Sequence, residues 1–160
     1  MKKAVYTGSF DPITLGHLNI VERGSKIVDE LVVGIGVNSE KKYLFEPEER
    51  VNLIKRCTAH LENVKIQCFE GLAVDFVASC DAKVMLRGVR PLTDIAGEFT
   101  MTMANRRLND DLETVFLMAD GEYVHVSSSL IKQVAPLADD DQLARFVPRE
   151  IIPDLRAKIG

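Results

Sequence analysis

Residues 31–37, Leu-Val-Val-Gly-Ile-Gly-Val, are apolar on both alternations of an extended chain. Side chains of a strand point to opposite faces with period two, so such a run belongs in a sheet covered on both sides. Short apolar runs at 3–7, 63–69, 82–87 and 114–118 resemble it, and helical patterns at 16–28, 47–61, 71–79 and 91–108 lie between them. Pro47 with Glu48 and Glu49 suits a helix N-terminus, where a missing N–H is tolerated and acids meet the positive end of the helix. Shorter helical stretches follow at 128–135, 139–145 and 148–158, the last opened by Pro148 and kinked or split by Pro153. Strands alternating with helices of this length predict an α/β fold. It is a doubly wound sheet of five parallel strands with right-handed crossovers, helices on both faces and a helical C-terminal segment. No repeat and no linker rich in Pro, Gly or Ser interrupts the 160 residues, so 1–160 reads as one domain.

In such a Rossmann-like sheet, ligands bind outside the carboxyl ends of the strands. The first strand runs out in Tyr6-Thr7-Gly8-Ser9-Phe10-Asp11-Pro12, and Thr14-Leu15-Gly16-His17 leads into the first helix. Glycines in a strand-to-helix turn let a ligand approach bare backbone, and N–H groups at the helix start receive phosphate. His17 adds a hydrogen-bond donor and a potential positive charge, which points to phosphate chemistry and not only to phosphate binding. The other strand ends are expected at Asn38-Ser39-Glu40-Lys41-Lys42, Phe69-Glu70-Gly71-Leu72-Ala73, Arg87-Gly88-Val89-Arg90 and just before Asp120-Gly121-Glu122-Tyr123. Of the basic residues Lys41, Lys42, Arg87, Arg90, Arg106 and Arg107, the first four fall at these ends. The net charge of −4 argues against nucleic acid as the main partner, so these cations form a local cluster in an acidic envelope.

Each candidate has an ordinary alternative. A histidine in a first turn is often a surface or core residue, but the turn in front of His17 favours a phosphate-facing catalytic group. Asp11 and Thr14 read as loop and cap residues that shape the turn. Arg87 and Arg90 straddle Gly88 after a buried strand that Pro91 ends, which places two guanidinium forks for phosphate. For Lys41 and Lys42 the spacing leaves a phosphate ligand and a solvated turn equally open. The Ser127-Ser128-Ser129 triplet opens a helix, and its hydroxyls either cap that helix or add donors for an anion. His60 and His125 read as structural. No His-x-x-x-His or carboxylate cluster suggests an all-protein metal site, so any metal is expected to arrive on a nucleotide. Cys57, Cys68 and Cys80 are odd in number and lack Cys-x-x-Cys spacing, which predicts small buried apolar residues in a reducing cytosol. Met1-Lys2-Lys3 before a strand-like run is not a signal peptide, and no stretch approaches the ~18 apolar residues of a membrane helix. A soluble, cytoplasmic protein is the expectation.

Taken together, these segments resemble the bacterial phosphopantetheine adenylyltransferases, nucleotidyltransferases related to class I aminoacyl-tRNA synthetases. The match spans nearly the whole chain. It is carried by Gly8-Ser9-Phe10-Asp11-Pro12, Thr14-x-Gly16-His17, Glu48-Glu49-Arg50, Arg87-Gly88-Val89-Arg90 with Asp94, Asn105-Arg106, Phe116-Leu117-Met118 and Ser127-Ser128-Ser129-Leu130-x-Lys132. The resemblance implies adenylyl transfer from ATP to 4′-phosphopantetheine, giving dephospho-coenzyme A and pyrophosphate. It implies that His17 is catalytic, stabilising the transition state at the α-phosphate. It also implies that Ser9, Phe10, His17, Gly88, Val89, Arg90, Glu98 and the loop Tyr123, Val124, His125, Val126, Ser127, Ser128 and Ser129 hold ATP. Ser9, Lys41, Ala73 (through its backbone) and Arg87 would hold phosphopantetheine. Nucleotide-bound magnesium, a homohexamer and coenzyme A as a candidate feedback ligand belong to the same implication. Ser9 stands where threonine is common and keeps its hydroxyl; Leu15 stands where asparagine is frequent. Gly97 replaces an aromatic residue before Glu98. The other small nucleotidyltransferases share the Gly-x-Phe turn and the x-Gly-His. The cytidylyltransferases among them carry a late Arg-Thr-x-Gly-x-Ser-Thr segment that Val126 to Lys132 does not fit.

Overall fold

The structure is a computed structural model and describes residues 1–90 and 95–159. In chain order its elements are β1 (Lys3–Gly8), α1 (Leu15–Ser25), β2 (Glu30–Val37), α2 (Pro47–Cys57), β3 (Val64–Glu70), α3 (Ala73–Ser79), β4 (Val84–Val89), α4 (Ile95–Leu108) and β5 (Glu113–Met118). A short 3-10 turn, Gly121–Tyr123, precedes α5 (Ser128–Val134) and α6 (Asp140–Leu143), and a second, Arg149–Ile151, runs into α7 (Ile152–Ile159). The five strands pair in the order β3-β2-β1-β4-β5, all parallel.

Alternation along the strands divides the interior into two layers. Ala4, Tyr6, Leu31, Val33, Ile35 and Leu86 face one cluster, filled from the helices by Ile20 and Val21 of α1, Leu53 and Ile54 of α2, and Ile131, Leu143 and Leu155 of α5 to α7. Val5, Val32 and Met85, one residue out of step, face a smaller cluster with Val74, Phe76 and Val77 of α3. The run is thus buried on both faces over 31–35, as its composition demanded, and half-buried at Gly36 and Val37 near the strand's carboxyl end. The exception is α4, none of whose described residues is buried.

The expected elements all form, with shifted ends. β4 begins at Val84 and extends to Val89, so Gly88 and Val89, expected just beyond a strand ending at Arg87, are strand residues. The reading of Pro91 as the end of that segment, the place of Asp94 and the first turn of the expected helix at 91–108 lie outside the described residues. The three cysteines are free, but only Cys57 is the buried apolar residue expected of each. Cys68 sits on β3, an edge strand without a further neighbour to cover it, and is exposed; Cys80 is half-buried. Strand order reverses about β1, whose neighbours β2 and β4 lead to opposite edges. The crevice at the carboxyl ends of β1 and β4 is therefore the topological place for a ligand.

Candidate functional site

The segment between β1 and α1 is built by its own side chains. Thr14 is the N-cap of α1: its hydroxyl accepts from the His17 backbone N–H at 3.2 Å, and its own N–H donates to His17 Nδ1 at 3.1 Å. This is a capping box with histidine where Glu or Gln is usual. Because a backbone N–H only donates, Nδ1 must be bare, which places the ring proton on Nε2. Phe10 stands at φ 48°, the left-handed region, which for an aromatic residue costs on the order of 1–3 kcal/mol. That conformation lays the Phe10 ring edge-on to Tyr6 and His17, with centroids 5.2 and 5.0 Å apart. It also adds to the sequence reading of Gly8. A Cβ there would meet Phe10 Cζ at 3.0 Å, so the glycine makes room for the Phe10 ring as well as for an approaching ligand.

Buried polar contacts fix the rest of the turn, which includes a cis Asp11–Pro12 peptide. Asp11, only 2% exposed, accepts from the N–H groups of Leu44 and Phe45 and from Lys132 Nζ, each at 2.8 Å. One carboxylate thus ties the loop after β2 and helix α5 to the turn. Ser128 Oγ donates to Pro12 O at 2.8 Å, and Ser127 Oγ caps α5 by accepting from Leu130 N–H at 3.1 Å. Two hydroxyls of the serine triplet therefore carry structural bonds.

A cavity of about 330 Å³ opens over the turn at the β1–β4 crevice. Of the residues assigned to ligands, Ser9, Phe10, His17, Arg87, Gly88, Arg90, Glu98, Tyr123, Val126, Ser127 and Ser128 line it. Lys41, Ala73, Val89, Val124, His125 and Ser129 do not. Val89 alternates with Gly88 along β4 and turns its side chain into the interior. Val126 N–H closes a turn on Tyr123 O, so residues 123 and 126 share one side while Val124 and His125 turn away; the His125 ring packs edge-on against Phe146. Ser129 follows the cap around α5. Lys41 and Ala73 stand beyond the carboxyl ends of β2 and β3, on the same sheet edge but outside the cavity wall. Gly88 is also needed for packing: a Cβ there would meet Ile20 Cγ1 at 2.9 Å.

The cavity's charge differs from the sequence picture in two respects. Arg87 is held in a two-pronged pair with Glu98, Nε to Oε2 at 2.9 Å and Nη2 to Oε1 at 2.6 Å, while Nη1 donates to Thr7 O at 2.7 Å. The fork expected to receive phosphate is thus engaged by an acid from α4. Arg90 Nη1 reaches Val126 O at 3.4 Å. His17 is not the potential cation expected. Burial of the ring, and then the Arg90 and Arg87 guanidiniums, hold it down at about 4, so near neutrality it is a neutral donor. Burial likewise pushes the Tyr6 phenol far above its ordinary range.

Three residues at the site escaped the sequence reading. Tyr6 and Thr7 looked like ordinary strand positions, although an apolar run ending in two hydroxyls at a ligand edge was a usable signal. Arg50 was noted only within the Glu48-Glu49-Arg50 match and is completely buried, its Nη1 donating to Ser9 O at 2.8 Å.

A family model described as cytidylyltransferase-like matches residues 5–134. The chain is 68% identical over 158 residues to a phosphopantetheine adenylyltransferase of Rhodopirellula baltica, covering 98% of this chain and 88% of that one. It is 50% identical over 161 residues to a phosphopantetheine adenylyltransferase of Clostridium botulinum, covering 99% of this chain and 100% of that one. Among solved structures it is similar to a Plasmodium falciparum nicotinic acid mononucleotide adenylyltransferase complexed with NaAD. The TM-score is 0.64 at 14% identity, over 96% of this chain and 94% of that one, a likeness of fold.

Proposed function

The chain belongs to the cytidylyltransferase-like family and, within it, to the phosphopantetheine adenylyltransferases, and from that premise we propose how its residues perform the transfer. The reaction joins the adenylyl group of ATP to 4′-phosphopantetheine, releases pyrophosphate and gives dephospho-coenzyme A, the penultimate step of coenzyme A synthesis. The attacking group is a phosphate monoester with a second pKa near ~6, so near neutral pH most of it is already dianionic. It needs no protein base, and the cavity is poor in candidates for one: His17 Nε2 already carries its proton and the Glu98 carboxylate is engaged by Arg87. The task is to bring two polyanions together and to stabilise charge at the α-phosphorus.

His17 Nε2–H is the transition-state donor. The α1 N-terminus, Arg90 and the hydroxyls of Ser9 and Ser127 receive the ATP phosphates, while Ser128, whose hydroxyl proton goes to Pro12 O, stands beside them in the cavity wall. Gly88, Glu98, Tyr123 and Val126 line the way to the nucleoside, and Val89, Val124, His125 and Ser129, whose side chains lie outside the cavity wall, join them only through their backbone. Arg87, Ser9 and Lys41 take the phosphate of the acceptor, whose arm runs along the β2–β3 edge toward the Ala73 backbone. The fixed Nε2–H tautomer of His17 between two arginines is the observation that carries this reading.

Magnesium enters with the substrate. Among the described residues no group of three or more His, Cys, Asp or Glu side chains gathers to hold a metal ion. A phosphate-binding cavity without such a cage fits an ion that rides on the triphosphate and neutralises part of its charge. Coenzyme A carries the same phosphopantetheine arm as the acceptor and would compete for its place as a feedback ligand. Self-association, for which the homohexamer is the proposed form, is supported by α4 and β5, where Phe99, Met101, Met103, Leu108, Phe116 and Met118 are all exposed. A cytoplasmic location fits the free cysteines; among the described residues no helix is long and apolar enough to cross a membrane.

The decisive experiment incubates the protein with MgATP and a panel of phosphorylated acceptors and reads products by mass. Dephospho-coenzyme A is the expected product. Adenylylation of nicotinate mononucleotide but not of phosphopantetheine would overturn the reading.

A further inference from the structure

Arg50 lies in α2 with 0% of its surface exposed, and among the described residues no carboxylate stands within ion-pair distance. Its Nη1 donates to Ser9 O at 2.8 Å and reaches Gly36 O at 3.4 Å, joining the carboxyl ends of β1 and β2. The Tyr43 ring covers the guanidinium, 4.2 Å from its carbon to the ring centroid. Among the described residues Nε and Nη2 have no hydrogen-bond partner. A buried cation without a counter-ion is an expensive way to fill space. What the guanidinium supplies that an apolar side chain would not is a charge-assisted donor aimed at a chosen carbonyl.

That carbonyl belongs to the peptide joining Ser9 to Phe10. Rotation of this peptide changes ψ of Ser9 and φ of Phe10 together, and φ of Phe10 is the left-handed value of 48°. Unpinned, the peptide is free to rotate and Phe10 to relax, withdrawing the ring that fills the space over Gly8 and packs edge-on to His17 at 5.0 Å. We infer that Arg50 is a positioning residue for adenylyl transfer: it holds the Ser9–Phe10 peptide and, through the Phe10 ring, aims His17. Arg50 touches neither substrate. Tyr43 extends the same support to the loop that carries Lys41. The inference rests on the reading of His17 as the α-phosphate donor.

The test is a double-mutant cycle with Arg50→Met and His17→Ala, read as kcat and as KM for each substrate, with thermal unfolding to confirm the fold. With His17 present, Arg50→Met is expected to lower kcat about 10²-fold, the scale of a misplaced catalytic group. KM for ATP and for phosphopantetheine should rise by a smaller factor than kcat falls, since Arg50 itself contacts neither substrate and only the placing of Ser9 and Phe10 in the cavity wall is loosened. In the His17→Ala background the same substitution should change kcat by less than about threefold, because residues acting through one another do not add. Equal losses in the two backgrounds, or no loss with His17 present, would overturn the inference. His17→Ala measured alone shows separately whether the donor reading stands. Should Arg50→Met fail to fold, Arg50→Lys serves in the same cycle. It keeps the charge beneath Tyr43 but cannot span both carbonyls, and the same outcomes decide.

Discussion

At the scale of single residues, the state of His17 is set by a backbone N–H. Because Thr14 donates to Nδ1, protonating the ring would break the cap of α1 as well as place a cation beside two arginines. His17→Ala should lower kcat by about 10²–10³, or ~2.7–4 kcal/mol, as for one lost transition-state donor, and leave both KM values nearly unchanged. A variant turning over at the original rate would sink the catalytic role. The same ring predicts a stability effect. Folded His17 titrates near 4 and an unfolded histidine near 6.5. Between these values the unfolded chain binds the extra proton, so stability falls as pH drops from 6.5 to 4 and levels off below. Denaturant midpoints of His17→Gln should fall less over that window than those of the unaltered chain; parallel curves would contradict the assignment. Arg87→Ala should raise KM for phosphopantetheine more than for ATP, and it strands the Glu98 carboxylate in the cavity. Adding Glu98→Gln should therefore recover part of the loss, because an unpaired acid no longer repels the phosphates. A larger effect on ATP would mean that the two phosphate places are exchanged.

At the scale of elements, α1 is held by its cap at one end and by a close approach to β4 along its length. Thr14→Ala should cost about 1 kcal/mol in denaturant unfolding, the usual value of an N-cap hydroxyl. Gly88→Ala places a Cβ 2.9 Å from Ile20 Cγ1 and should cost about 1–3 kcal/mol by pushing α1 away from β4. Unchanged stability would return Gly88 to a purely ligand-facing role. These elements also show what a sequence discloses. The parallel sheet was legible because strands buried on both faces must be apolar on both alternations, as 31–37 is. The end of β4 was not, because Gly88 and Val89 fall past the apolar run while their pairing with Leu117 and Met118 of β5 keeps them in the sheet. His17, Arg87, Arg90 and the serines stood out because their types and order betray phosphate chemistry. Arg50 did not, since an arginine four residues into a charged helix looks solvated until its neighbours in space are known. Nor does order along the chain distinguish Tyr123 and Val126, which enter the cavity, from Val124 and His125, which the turn carries away.

At the scale of the whole molecule, two layers of side chains close over the sheet but leave α4 and β5 with an apolar surface. Phe99, 63% exposed, is the most exposed large apolar side chain described on it. Phe99→Glu is expected to yield a smaller particle by sedimentation or light scattering with the secondary structure intact; an unchanged mass would remove this face from the assembly. Chelating magnesium should stop turnover without lowering the unfolding temperature of the substrate-free protein, because the ion is assigned to the nucleotide. A shift in that temperature would point to a resident site instead. The helix that carries Phe99 also carries Glu98, the acid that grips Arg87. One face of α4 therefore steadies the phosphate end of the cavity while the other waits for a neighbour. If this face forms the proposed contact between subunits, dilution that parts them should lower specific activity while the fold persists, and concentration should restore it.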